Sequence, residues 1–284
     1  MPARAYLVLA ALLFSTGGTV IKLSTLSGWQ IAGLRSGIAA LFLAALMPAW
    51  RRFGARPLLV GGAYGATMVL FVVANTLTSA SSAIFLQSTA PLYVLFLAPL
   101  LLREPLRRMD FAVALILATG TALVFLGGGR TFETAPSPGQ GNLLGALSGV
   151  TWALTVMGLR WLGGRAPASA GAAVVLGNAL ALLFCLPLAL PLTGATPTDW
   201  VIVAYLGIVQ IGLAYICLVR GVAGTRAFEA SLFLLVEPVA STLLAWGIHG
   251  EVPGPAAALG SGVIALGLVV QATRGWRGSR EEGA

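Results

Sequence analysis

From Phe53 to Leu102 the chain carries a single ionised residue, Arg56, and similar apolar stretches recur along its length. Such a stretch leaves few folding options. Inside a bilayer every backbone N–H and C=O must be bonded within the protein, which restricts spanning structure to helices of roughly 20 residues or closed barrels. Barrel strands alternate polar and apolar side chains, and Phe111–Leu126 shows no such alternation. The reading is an all-α membrane protein. Only 9% of residues are charged, against about 25% in soluble domains, so a water-facing surface could not be covered.

Ten spans are expected, at about 5–24, 28–48, 57–78, 82–102 and 109–127, then 140–161, 168–190, 198–220, 226–247 and 253–273. Basic residues sort between alternate connections. One side collects Arg4, Arg51, Arg52, Arg56, Arg103, Arg107, Arg108, Arg160, Arg165, Arg220, Arg226, Arg274, Arg277 and Arg280; the other holds Lys22 and Arg130. By the positive-inside rule both termini lie in the cytoplasm. The net charge of +8 resides in these short clusters, which points to a membrane rather than to nucleic acid. Trp29, Trp50, Trp161, Trp200, Trp246 and Trp276 sit near span ends, as interfacial aromatics do. Cys185 and Cys217 fall inside apolar segments and read as small buried hydrophobes.

Self-similarity organises the chain further. Pro91 is followed after thirteen residues by Glu104 and then by a helix holding Gly120; Pro238 is followed after thirteen by Glu251 and then by a helix holding Gly267. One offset of 147 residues superposes all three pairs. At the front of each half Phe14 precedes Lys22 by eight residues, as Trp152 precedes Arg160. Residues 1–127 thus form a first five-helix repeat, 128–139 an outer linker, 140–273 a second repeat and 274–284 a cytoplasmic tail. With five spans per half, the second repeat enters the membrane from the opposite side. Inverted repeats are a signature of secondary transporters, whose two near-equivalent packings expose one site to either face.

These residues resemble the drug/metabolite transporter superfamily, and within it the EamA-type members. The resemblance rests on Phe14–Lys22, Trp152–Arg160, Arg35, the Ala90-Pro91…Arg103-Glu104 stretch and the Glu237-Pro238-Val239…Gly250-Glu251 stretch, and it covers nearly the whole chain. In general character the chain is similar to bacterial amino-acid exporters of the YddG type. The resemblance implies an inner-membrane carrier working by alternating access around a central cavity. It also implies that helices five and ten are peripheral and can serve a homodimer. The second half has no obvious equivalent of Arg35, so strict symmetry of the site is not expected.

Ionisable and polar residues within the spans are the site candidates, because ionisable groups there need a cavity or a partner. Glu237 stands near the middle of the ninth span, either as a protonation site or substrate contact or as a structural carboxylate beside the Pro238 kink. Arg35, about two turns inside the second span, could grip a substrate carboxylate, snorkel, or bond carbonyls between helices. Pro91 and Pro238 each remove an N–H and free a carbonyl four residues back, at Gln87 and Leu234, at matched places in the two halves. They are read as gating kinks. Neutral candidates for the cavity are Asn75, Ser79, Gln87, Ser88, Thr89, Tyr93, Trp152, Asn178, Gln210 and Tyr215, each also able to act as interhelical glue. The Ser15–Thr19 run could line a pathway or bond its own backbone. Gly61-x-x-x-Gly65 and Gly141-x-x-x-Gly145-x-x-x-Gly149 read as close-approach faces. Glu104, with Arg103 and Arg107 nearby, reads as a helix end with local ion pairing.

No cofactor and no metal site are expected, and Walker A, HExxH and GxSxG motifs are absent. A sparsely charged interior suits neutral, zwitterionic or aromatic metabolites, amino acids foremost, better than phosphates. The expected partners are a small-molecule substrate and membrane lipid, with no nucleic acid. Efflux of drugs or other metabolites is the alternative cargo class; a membrane-embedded enzyme or a passive channel would differ in kind.

Overall fold

The computed structural model describes residues 1–21, 23–47, 51, 54–78, 80–127, 136–164, 167–192, 194–249 and 255–281, and all regular structure among them is helical. The chain runs through α1 (Ala3–Ile21), α2 (Gly28–Leu46), α3 (Ala55–Leu77), α4 (Ala80–Gln87), α5 (Ala90–Leu102), α6 (Arg108–Gly127), α7 (Pro138–Gly163) and α8 (Pro167–Ala189). It continues through α9 (Pro197–Tyr205), a π-helical segment (Leu206–Leu213), α10 (Ala214–Ala223), α11 (Ala227–Phe233), α12 (Val236–His249) and α13 (Pro255–Glu281). Seven helical stretches among the described residues are long and apolar enough to cross a bilayer.

Helix boundaries follow local chemistry. Ser27 and Gln30 form a capping box at the start of α2, and Thr196 with Asp199 forms another at α9. Prolines open α7, α8, α9 and α13, where a missing N–H leaves nothing unsatisfied. α5 ends where Arg103 turns through the left-handed region at φ 58°.

Lipid tails are as apolar as leucine, so helices associate through close packing of small residues. Along α3, a Cβ on Gly61 would lie 2.9 Å from the Ala173 carbonyl oxygen of α8, and one on Gly65 would lie 2.8 Å from that of Gly177. Gly141, Gly145 and Gly149 of α7 press in the same way on Thr78, Leu86 and the Leu86 carbonyl. α3 therefore packs along both α7 and α8, α2 along α8, α6 along α13, and α1 along α10, the π segment and α12. Leu41, Leu100, Leu115 and Val201 face outward, where only lipid could accept them.

Polar contacts gather at two ends. At the proximal face, which carries the start of α1, Arg4 pairs with Glu229 at 2.8 Å. Glu104 there receives Arg160 Nε at 3.1 Å and the Ala227 backbone N–H at 2.9 Å. Arg160 also donates to the Ala223 carbonyl, and Arg226 donates to the Pro105 carbonyl and to Asp110. Glu104 is thus bonded to distant helices, not within its own turn, because the left-handed Arg103 swings it toward α7 and α11. At the distal face Asp199 collects Ser24 Oγ, the Thr25 N–H and hydroxyl, and the Thr196 N–H and hydroxyl, all within 3.0 Å. Thr78 donates to Asn142 there, and Gln30 to the Ala189 carbonyl.

Two expected spans are interrupted. The segment expected at 82–102 breaks between Gln87 and Ala90, and that at 226–247 breaks between Phe233 and Val236. Pro91 and Pro238 sit in the first turns of α5 and α12, immediately after the breaks. The Leu234 carbonyl expected to be free accepts the Glu237 N–H at 3.0 Å, since the chain tightens to a three-residue turn. α13 runs to Glu281, into the segment expected as a tail.

Candidate functional site

The two helix breaks and the π segment meet around a cavity enclosing about 350 Å³, its mouth included. Its wall takes Phe14 from α1, Arg35 from α2, Met68 and Phe71 from α3, and Gln87 from the end of α4. Trp152 of α7, Gln210 and Ile211 of the π segment, Tyr215 of α10 and Glu237 of α12 complete it.

The basic member of the wall, Arg35, is buried. Arg35 is 1% exposed; Nη1 donates to Gln210 Oε1 at 3.3 Å, Nη2 donates to the Met68 carbonyl at 3.3 Å, and Nε has no partner. A guanidinium stays charged in proteins. Here it meets only neutral acceptors at distances longer than the 2.7–2.9 Å typical of charge-assisted bonds. Glu237 stands in the first turn of α12 and forms no ion pair among the described residues. One turn on, the Ser241 hydroxyl donates to the Ser15 carbonyl at 3.2 Å, tying α12 to α1.

Aromatic rings make the apolar part of the wall. Phe14 meets Trp152 edge-on at 5.9 Å and Tyr215 at 5.2 Å, and Trp152 meets Tyr215 at 6.3 Å. Tyr215 in turn rests on Tyr64 at 4.6 Å, with its own hydroxyl lacking a well-aligned partner. Gln87 lines the cavity and donates to Ser148 of α7 at 2.7 Å.

Of the residues singled out in the sequence, Arg35, Gln87, Trp152, Gln210, Tyr215 and Glu237 thus share one cavity. Asn178 lies elsewhere: its amide donates to the Tyr64 hydroxyl at 2.8 Å and to the Val174 carbonyl at 3.0 Å. Asn75 is buried on α3 with both amide atoms unpartnered, and Tyr93 is half-buried on α5 against the core. Ser79 lies outside the described residues. Ser15 and Thr16 bond back to Leu12 and Leu13 within α1. Met68, Phe71 and Ile211 were not singled out, because an apolar residue in an apolar span carries no signal of where it points. In the sequence Phe14 stands out only through its place in the repeat.

The EamA-like transporter family matches residues 1–126 and 139–273. An aromatic amino acid exporter, YddG, of Ancylobacter novellus is 27% identical over 263 residues, covering 93% of this chain and 84% of the relative. A crystal structure 22% identical in sequence superposes with a TM-score of 0.80, covering 97% of this chain and 98% of its own, so the fold is shared. The chain belongs to the EamA-like transporter family.

Proposed function

We propose that this transporter is a secondary active exporter of amino acids, neutral or aromatic, working by alternating access in the inner membrane with both termini cytoplasmic. The observation that carries the reading is the buried Arg35 guanidinium, which lacks a carboxylate partner among the described residues and lines an aromatic cavity. A buried positive charge on the cavity wall favours an anion, and a carboxylate matches the guanidinium fork. Phe14, Phe71, Trp152 and Tyr215 offer a wall for an apolar or aromatic side chain, and Glu237 offers a carboxylate to an ammonium group or to a proton. A phosphate would call for several cations, and Arg35 is the one basic residue in this wall. The name of the Ancylobacter relative agrees with this cargo class.

The transport mechanism rests on a ten-span inverted repeat, with α4–α5, α9–α10 and α11–α12 each counted as one interrupted span. Packing supports it. The contact of α3 with α7 has its counterpart in α10 with α1, and that of α4–α5 with α7 has its counterpart in α11–α12 with α1. The α2–α8 and α6–α13 contacts are each their own counterpart. Phe14 and Trp152, matched between the halves, touch at the cavity. Residues 1–127 and 140–273 are the two repeats in this reading, the arginine-rich proximal face is cytoplasmic, and the kinks at Pro91 and Pro238, with the helix breaks just before them, gate the cavity.

Purified protein in liposomes preloaded with unlabelled L-phenylalanine tests the reading. A transient overshoot of labelled L-phenylalanine is expected from a carrier. Ohmic current without counterflow would overturn it.

A further inference from the structure

We propose that Gln210 is a built-in placeholder on Arg35: in the empty protein its amide oxygen occupies the position that a cargo carboxylate oxygen takes over. The proposal rests on the reading that the cargo carries a carboxylate.

Three observations converge on it. The first is the bonding of Gln210 itself. Its Oε1 accepts from Arg35 Nη1 at 3.3 Å and its Nε2 donates to the Phe14 carbonyl at 3.5 Å. Both are long, and the first pairs a charged donor with a neutral acceptor. A carboxylate oxygen would bring a full opposite charge to the guanidinium at the roughly 2.7–2.9 Å such pairs adopt, so an anion competes for this position far better than a neutral ligand does.

The second is the seat prepared for the amide. A Cβ on Gly17 would lie 2.7 Å from Gln210 Nε2 and 3.0 Å from its Cδ. The side chain therefore lies flat on α1, in space that only glycine leaves open, one turn beyond the Phe14 carbonyl that receives it.

The third is the winding that delivers it. Gln210, Ile211 and Tyr215 all line the cavity. In an α-helix residues five apart point about 140° away from each other, at 3.6 residues per turn. The π winding over Leu206–Leu213 pairs residues five apart and brings them toward one side. Such segments are rare and recur at functional sites. Here the winding turns Gln210 toward Arg35 while keeping Tyr215 in the aromatic wall.

The consequence is a link between occupancy and packing. Arg35 and Gly17 belong to the first half of the chain and Gln210 to the second, so the amide ties the π segment to α1 and α2 when no anion is present. A carboxylate that displaces it releases that tie.

The test measures binding to purified protein of L-phenylalanine, 3-phenylpropionate and phenethylamine, with thermal melting to verify folding. Gln210→Glu, a tethered carboxylate beside Arg35, is expected to weaken both carboxylate ligands at least about tenfold while leaving phenethylamine within about twofold. Gln210→Ala removes the competitor and is expected to tighten the two carboxylates by roughly threefold to tenfold. Gly17→Ala, which dislodges the amide without deleting it, is expected to move affinity in the same direction as Gln210→Ala. It supplies the second measurement should Gln210→Ala fail to fold. If the unmutated protein binds neither carboxylate, the cargo reading falls and this proposal with it. If it binds them but the glutamate variant and the alanine variants all weaken binding alike, Gln210 is structural and only this proposal is overturned.

Discussion

The close approach of α3 and α8 depends on Gly177, and replacing it with alanine should weaken both the fold and the site. An added Cβ would stand 2.2 Å from Cδ1 of Tyr64 and 2.6 Å from the Gly61 carbonyl oxygen. Ordinary contact begins near 3.4 Å. The carbonyl belongs to a helix backbone and cannot yield locally. The Tyr64 ring cannot swing aside, because it rests on Tyr215 at 4.6 Å and its hydroxyl accepts from Asn178 at 2.8 Å. The helices must therefore part by most of an ångström, which strains or breaks the Asn178 bond.

Overpacking of this kind costs about 1–3 kcal/mol, and an interhelical hydrogen bond in a membrane protein contributes about 0.6 kcal/mol. Alanine in place of glycine returns roughly 0.5–1 kcal/mol of helix propensity. The net expectation for Gly177→Ala is a loss of about 1–3 kcal/mol. Gly62→Ala is the internal control, since nothing lies within 4 Å of its added Cβ; it should be neutral or stabilise by up to about 1 kcal/mol. Reversible unfolding in mixed micelles, titrated with a denaturing detergent, measures both. Equal stability of the two variants would refute the reasoning that backbone contact, rather than side-chain adaptation, holds α3 to α8.

Three further outcomes are expected. Arg35→Lys keeps the charge but loses the fork, so KM for L-phenylalanine should rise at least about tenfold; an unchanged KM would remove Arg35 from carboxylate recognition. Glu237→Gln should abolish the response of L-phenylalanine transport to an imposed pH gradient while leaving counterflow measurable, and identical gradient dependence in both proteins would exclude a proton role for Glu237. Glu104→Gln weakens two bonds that fasten the proximal face, and hydrogen bonds to charged groups contribute about 1.5–3 kcal/mol each. Even after discounting for their partial exposure, proximal opening should rise on the order of tenfold. The assay is the labelling rate, from the proximal side, of a cysteine at position 87 with Cys185 and Cys217 replaced by alanine; an unchanged rate would show that Glu104 does not restrain that face.

The all-helical, membrane-embedded character was legible residue by residue. A bilayer tolerates neither bare backbone nor stray charge, so Phe53–Leu102 could not have folded as anything exposed to water. The spacing from Pro91 to Glu104, repeated from Pro238 to Glu251, was legible for a similar reason: kinks and charged helix ends are rare in apolar sequence and stand out when they recur. Arg35 and Glu237 drew attention on the same grounds.

Rotation and register were decided only in three dimensions. A span that is apolar on every side shows no stripe to mark the inward face, so Asn178 could not be told from Gln210, although one bonds Tyr64 and the other holds Arg35. No residue announces a π turn; within it Gly207 and Gly212 lie against α2 so closely that added Cβ atoms would collide with Ile38 and Phe42, a fit visible only in three dimensions. Glu104 found Arg160 and Ala227 across 56 and 123 residues of chain. Such partners are set by how helices cross and how far each is turned about its axis, and those angles come from the packing of the whole bundle rather than from any one segment.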